Sequence, residues 1–277
     1  MLEPTLDALD ALPERDRIEV VVVEAVGTAV REKLKGRSVV VIESERLPIP
    51  RLRYQGVVKA SGDLVAILED HARVEPGWAR ALLAEHKGPW GAVGGPVENG
   101  VDGLVNWAVF FCEYAPYMSP VSEGTSTDLP GNNIAYKRPH LLRHARVLDE
   151  GKWESWINDR LRADGVPIAS TNAMVVKHIK PFALGYFLAQ RFHFGRSYAG
   201  MRRADQSWSR RLAYGLGSLI LPGLLSARVA RTVASKRRNV WRFVTVAPLV
   251  GLFLTVGAMG EMAGYLVGPG ASLDKVE

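Results

Sequence analysis

Cysteine is all but missing from this chain: Cys112 stands alone among 277 residues. That excludes an intramolecular disulfide and a cysteine-based zinc cage, and it fits a reducing compartment. Cys112 itself reads as a small buried apolar residue. The opening stretch MLEPTLDALDAL lacks the basic segment and apolar run of a secretory signal, and reads instead as a short amphipathic helix. Internal repeats and low-complexity segments are also lacking. Acidic residues are scarce in one place: between residues 200 and 242, Asp205 faces ten arginines and lysines. That stretch therefore carries +9 of a net charge of +6, leaving −3 for the rest of the chain. Basic residues beside apolar segments mark the cytoplasmic face of a membrane, so the charge argues against a nucleic-acid partner.

What is present begins with β-branched residues. IEVVVVEA is a nearly continuous run, of the length expected for a strand buried on both faces of a parallel sheet. A helix pattern from Gly27 to Lys35 leads to SVVVIES, and a second from Leu52 to Ala60 leads to DLVAILED. Strand and helix in alternation specify an open α/β sheet with right-handed crossovers. Such sheets bind ligands beyond the carboxyl ends of their strands, where Glu69, Asp70 and His71 follow LVAIL. Further on, PGWARALLAEH and WESWINDRLRADG read as helices, the second ending at Gly165, and GAVGGPVEN as a glycine-rich strand and turn. VPIASTNAMVV reads as one strand, and Trp107 to Tyr117 is rich in aromatics.

From Pro181 the character changes, which places a boundary near residue 180 and gives domains of 1–180 and 181–277. Hydrophobic residues make up 47% of the chain and the mean hydropathy is zero, between the values of a simple soluble enzyme and a polytopic membrane protein. Leu212 to Ser226 is apolar but short and broken by Gly215, Gly217, Pro222 and Gly223, and reads as interfacial or re-entrant. Phe243 to Gly260, extendable through Tyr265 to Gly268, is a spanning candidate containing Pro248. The other reading of both stretches is a pair of buried helices.

Several motifs, in order, carry a resemblance. ASGDLVAILEDHARVEPGW resembles the core of family-2 glycosyltransferases of the GT-A fold, with A-x-G-D, a buried strand, an acidic cluster and a P-x-W helix. IEVVVVE resembles the second strand of that family, RYQG its R-N-x-G element, PGNNIAYKR its acceptor-side segment, and WESWINDRLRADG its E-D-x-D-L-x-x-R-L-x-x-x-G helix. The match runs from about residue 4 to 200. It implies a GT-A-like open, mostly parallel sheet flanked by helices and followed by a helical, membrane-associated C-terminal module.

The resemblance also implies an activity: inverting transfer of a sugar from a nucleotide diphosphate sugar to an acceptor hydroxyl, with a lipid-linked or cell-envelope saccharide as the acceptor class. A departing diphosphate gathers negative charge that a divalent cation, magnesium or manganese, neutralises. Glu69 and His71 match the outer places of the family's D-x-D, and on an extended strand end alternate side chains share a face. Asp70 has two readings, a ribose contact or a further ligand. His178 resembles a family histidine near the metal, and reads equally as a core histidine. Glu24 falls where the family has a base-contacting aspartate, and Arg53 belongs to the R-N-x-G element on the donor side. Asn132, Asn133 and Trp153 fall on the acceptor side. Alignment on Arg160, Leu161 and Gly165 puts Glu154 at the place of the catalytic base. QRFHFGR, with Gln190 and Arg191, lies where membrane-bound relatives carry a donor-closing Q-x-x-R-W. His193 and Phe194 replace its arginine and tryptophan, which favours single addition over polymer synthesis.

One family element has no counterpart here, the first strand with P-x-x-N that cradles the nucleobase. Three alternatives follow: a chain longer upstream, a different mode of donor binding, or lost catalysis. The last gives a rival reading, a degenerate relative that acts as a binding or scaffold partner of another membrane glycosyltransferase. The expected location is the membrane, with the catalytic domain on the cytoplasmic side.

Overall fold

The computed structural model describes residues 2–25, 27–203 and 206–276; Asp205, counted in the basic stretch, lies outside them. Two compact units form. The first takes the chain up to Gly100 together with Tyr117–Lys180, and the second takes Val101–Pro116 with the chain from Pro181 onward.

The first unit opens with α1 (Leu2–Asp10), an amphipathic helix that buries Thr5, Leu6 and Leu9. The alternation legible in the sequence follows: β1 (Val21–Glu24), α2 (Thr28–Leu34), β2 (Val40–Glu43), α3 (Ile49–Lys59) and β3 (Leu64–Leu68). Then come β4 (Ala72–Val74), α4 (Trp78–Glu85), β5 (Ala92–Gly94) and β6 (Val97–Asn99). After α5 (Leu104–Tyr114), which belongs to the second unit, the chain forms β7 (Gly124–Thr125), β8 (Asn133–Lys137), α6 (Arg138–His144) and α7 (Arg146–Asp149). It continues with α8 (Glu154–Ala163), β9 (Ile168–Ser170) and β10 (Val176–His178).

The largest sheet has the order β3-β8-β5-β9-β7. Strand β8 is antiparallel to both β3 and β5, and β5 is parallel to β9, so β3, β5 and β9 run in one direction. A second sheet, β4-β10-β6, sets β10 parallel to β6 and antiparallel to β4. The valine-rich β1 and β2 pair in parallel and, among the described residues, pair with no other strand. Alternation along β3 buries Val65 and Ile67, while α8 buries Ile157 and Leu161 four residues apart on one face. These side chains join Ile134, Tyr136 and Ile168 in one apolar core. Each fully buried aliphatic side chain there stabilises the unit by about 1.5–3 kcal/mol, and the shared core packs β3 and α8 into one unit.

VPIASTNAMVV is not one strand. A turn at Asn172 and Ala173 divides it, giving β9 to the five-stranded sheet and β10 to the three-stranded one. The Asn172 side chain stabilises this break through hydrogen bonds to the backbone of Val121 and to Glu123.

The second unit is helical: α9 (Leu184–Arg203), α10 (Trp208–Gly217), α11 (Leu221–Lys236) and α12 (Val240–Val267). Helices α9 and α12 cross closely, because a Cβ at Gly260 would lie only 2.2 Å from the Phe192 carbonyl oxygen. Helix α5 joins them through Phe111 against Phe243, ring centroids 5.3 Å apart, and through Arg242 lying 4.3 Å over the Trp107 ring. By length and composition α12 can cross a membrane. Helices α10 and α11 meet the same test only as a pair, bent by 56° at the break that the glycines and Pro222 foreshadow.

Candidate active site

The acidic cluster sits on a turn. Past β3 the Ala72 amide donates to the Glu69 carbonyl, 3.0 Å away, and reverses the chain into β4. The Thr5 hydroxyl of α1 donates to the Asp70 carbonyl at 2.9 Å and braces this turn. Glu69 and His71 do converge, His71 Nε2 lying 3.1 Å from Glu69 Oε2. The cause is the turn rather than the strand alternation expected from the sequence. Asp70 occupies the other ring nitrogen, its Oδ1 being 2.6 Å from His71 Nδ1.

His178 reaches the same place from β10. Its backbone is paired with Ala72 on one side and Asn99 on the other, so its ring packs edge-on to His71 with centroids 4.7 Å apart. One ligand atom from each of Glu69, His71 and His178 lies within 4.8 Å of the others, a cluster of the size that holds one metal ion.

Charge organises the cluster. Burial raises the cost of the Glu69 carboxylate, yet the His71 hydrogen bond and the charges of His71 and Arg53 outweigh it and hold Glu69 well below the usual carboxylate range. Burial opposes a charged His71, but hydrogen bonds and charge from Asp70 and Glu69 prevail and push it up to about 9. His178 goes the other way, down to about 4, through burial reinforced by the neighbouring His71 charge. The His71 hydrogen bond also lowers Asp70.

Arg53, from α3, ties this turn to α8. Its Nη2 donates to Glu69 Oε1 at 2.9 Å, and its Nη1 lies 2.7 Å from Glu154 Oε2. Glu154 is the first residue of α8 and is only 3% exposed. Its other oxygen, Oε1, is buried without a hydrogen-bond partner among the described residues. Trp153 precedes it as the helix N-cap, and its ring lies 5.7 Å beneath the Arg53 guanidinium. Gly131 leaves room for the ion pair: a Cβ there would sit 3.0 Å from Glu154 Oε2 and 3.5 Å from Arg53 Nη1.

Of the acceptor-side asparagines, Asn132 is buried. Asn133 is fully enclosed, accepting from Trp78 Nε1 at 2.9 Å and donating to the Pro96 and Met174 carbonyls. Asn133 thus clasps α4, β6 and the segment leading to β10, and its side chain serves the scaffold. Glu24 ends β1 buried, its carboxylate accepting from the Gly27 amide. Gln190 and Arg191 lie on α9 of the second unit, where Gln190 donates to the Lys275 carbonyl and Arg191 pairs with Glu113 at 2.7 Å. Burial pushes the Cys112 thiol up to about 12, which removes it from thiolate chemistry.

Sequence reading missed three supports: Thr5 under the Asp70 turn, Gly131 beside Glu154, and the Tyr136 hydroxyl donating to Asn158 beneath α8. Gly131 carried a signal, since it lies inside the PGNN motif. Thr5 carried none.

No protein-family model matches the sequence, and no curated protein matches it. Among solved structures, the mannosyltransferase PcManGT from Pyrobaculum calidifontis, in complex with GDP-Man and Mn2+, is similar with a TM-score of 0.56 and 18% identity. That likeness covers 94% of this chain and 82% of the mannosyltransferase. S. aureus TarS 1–349 in complex with UDP-GlcNAc aligns over 96% of this chain and 88% of its own, with a TM-score of 0.46 and 12% identity. The likeness to the mannosyltransferase shows a glycosyltransferase-like fold, mixed α/β with helices flanking its sheets, and the chain ends in the apolar helix α12.

Proposed function

We propose that this chain is an inverting, metal-assisted glycosyltransferase that moves a sugar from a nucleotide diphosphate sugar to an acceptor hydroxyl at a membrane. One observation carries the reading: a single guanidinium, Arg53, joins three side chains placed to hold one metal ion to a buried glutamate whose second oxygen has no hydrogen-bond partner among the described residues. The Pyrobaculum protein of the same fold was solved with GDP-Man and Mn2+, which supports the same donor class here.

Glu69, His71 and His178 fit a divalent cation, since they offer one carboxylate and two imidazoles within reach of one ion. Bound there, the cation supplies positive charge against the diphosphate leaving group. Glu154 Oε1 takes the proton of the acceptor hydroxyl as that oxygen bonds to the anomeric carbon and the bond to the diphosphate oxygen breaks. The bonding pair leaves with the nucleoside diphosphate, and attack opposite the leaving group inverts the anomeric centre. Arg53 holds Oε2 and thereby turns Oε1 to the acceptor. Trp153, stacked beneath Arg53, gives the acceptor sugar an apolar wall.

Membrane attachment is supported by the second unit. Helix α12 has the length and composition of a span, and the bend between α10 and α11 exposes Leu219, Ile220 and Leu224. Arg210, Arg211, Arg228 and Arg231 flank that bend, as expected for anionic headgroups on the cytoplasmic side. An acceptor drawn from that surface is a lipid-linked saccharide.

Incubation of membranes containing the protein with radiolabelled nucleotide sugars, with and without Mn2+, tests the reading; cation-dependent transfer from one donor supports it, and no transfer from any donor contradicts it. The rival, a degenerate relative that binds a partner, is favoured by the separate pairing of β1 with β2. Calorimetric titration with nucleoside diphosphates distinguishes the two, since the rival gives no binding heat.

A further inference from the structure

The donor set of the cluster departs from an all-oxygen site. Glu69 offers a hard oxygen, whereas His71 and His178 offer borderline nitrogens. Magnesium and calcium take oxygen ligands, and imidazole in two of three protein positions suits manganese, cobalt and zinc instead.

The surroundings of His71 point the same way. Asp70 Oδ1 lies 2.6 Å from Nδ1 and takes up that ring nitrogen, which leaves Nε2, 3.1 Å from Glu69 Oε2, as the nitrogen on the side of the other two ligand atoms. A carboxylate behind a ligating imidazole is how proteins fix ring orientation and raise ligand basicity at transition-metal sites. The Asp70 backbone is itself held, its carbonyl accepting from Thr5. Arg53 takes Glu69 Oε1, which leaves Oε2 on the His71 side.

We infer that the Glu69, His71 and His178 site selects a divalent transition ion of the manganese, cobalt or zinc class over magnesium and calcium, and that Asp70 is a positioning residue for His71 rather than a ligand. The inference rests on reading these three residues as the metal site of the proposed transferase.

The test is cobalt absorption spectroscopy on the full-length, chelator-stripped protein near neutral pH, with no nucleotide sugar present. Titration is expected to raise a visible ligand-field band that saturates at one equivalent of Co2+. About a thousandfold excess of Mg2+ leaves the band in place, while Zn2+ bleaches it stoichiometrically. His71→Gln and His178→Gln, which largely keep side-chain volume, lose the band. Asp70→Asn keeps it but binds Co2+ about 10–100-fold more weakly. Displacement of Co2+ by an equal concentration of Mg2+ overturns the selectivity while leaving the metal site standing. An unaltered Co2+ affinity in Asp70→Asn, or loss of its band, overturns the positioning role. Absence of any band in the wild-type protein removes the metal site itself, and with it the metal-assisted part of the proposed function.

Discussion

Arg53 and Glu154 form an ion pair in which Nη1 lies 2.7 Å from Oε2 while Oε1 keeps no partner among the described residues. Both side chains are nearly enclosed, with exposures of 11% and 4%. A buried carboxylate with one oxygen paired and the other lacking a partner is suited to accept a proton from a hydroxyl brought against it. The same arginine grips Glu69, so the two ends of the proposed reaction share one rigid contact.

Removal of Arg53 is therefore expected to damage more than donor affinity. Arg53→Met strands the buried Glu154 carboxylate, and loss of one partner of such a pair costs about 3–5 kcal/mol. Thermal denaturation checks this, and an unchanged Tm contradicts it. Arg53→Lys keeps charge without the two-pronged grip, and lowers kcat more than it raises KM.

Cation binding should depend on pH. His71 must be unprotonated to ligate, yet without a cation it titrates at about 9. Affinity for Mn2+ therefore climbs about tenfold per unit from neutral pH toward 9 and levels off above it. Calorimetry across that range tests this, and a flat profile contradicts it. In the cation-free protein the raised His71 pKa contributes stability fully present below about 6.5, the ordinary histidine value, and lost as pH rises through about 9. The lowered His178 contributes the opposite dependence: its stability is present above about 6.5 and lost as pH falls through about 4.

Gly131→Ala places a methyl group 3.0 Å from Glu154 Oε2. The backbone there accepts alanine, so folding survives while the carboxylate shifts. A loss in kcat of about 10–100-fold is expected with donor KM little changed. Steady-state kinetics that match the wild-type protein refute the placement of this carboxylate.

In the second unit, Gly260→Leu drives a side chain into the Phe192 carbonyl, 2.2 Å from where its Cβ lies. Helices α9 and α12 must separate, at a cost of about 1–3 kcal/mol or more. Detergent-solubilised protein carrying this change should melt earlier. After an alkaline carbonate wash the wild-type chain should stay with lipid, anchored by α12, and release to the supernatant counts against a span.

Much of this was legible in the sequence for a physical reason. Runs of β-branched residues located β1, β2 and β3 and the intervening helices, and Gly217, Pro222 and Gly223 located the bend between α10 and α11. The burial expected on both faces of β1 is not found, since Val21, Val22 and Val23 are only half-buried where β1 and β2, among the described residues, pair with no other strand. The break between β9 and β10 was not legible, because Asn172 and Ala173 form a turn that depends on hydrogen bonds to Val121 and Glu123, some fifty residues away in the chain. The grouping of Trp107 to Tyr114 with the C-terminal helices was equally hidden, since Phe111 meets Phe243 only in three dimensions. Local sequence named Glu69, His71, His178 and Glu154 as candidates. It named Arg53 as well, on the donor side, but not its bridge between Glu69 and Glu154, because that arginine reaches both carboxylates only across the fold.

The most direct test is a single-turnover comparison of the wild-type protein with Glu154→Gln, following donor binding and product formation separately in the presence of Mn2+. Donor and cation affinities are expected to stay within about threefold of wild type, and the transfer rate to fall by about a hundredfold or more. Transfer by Glu154→Gln at the wild-type rate would contradict the role of Glu154 as the base.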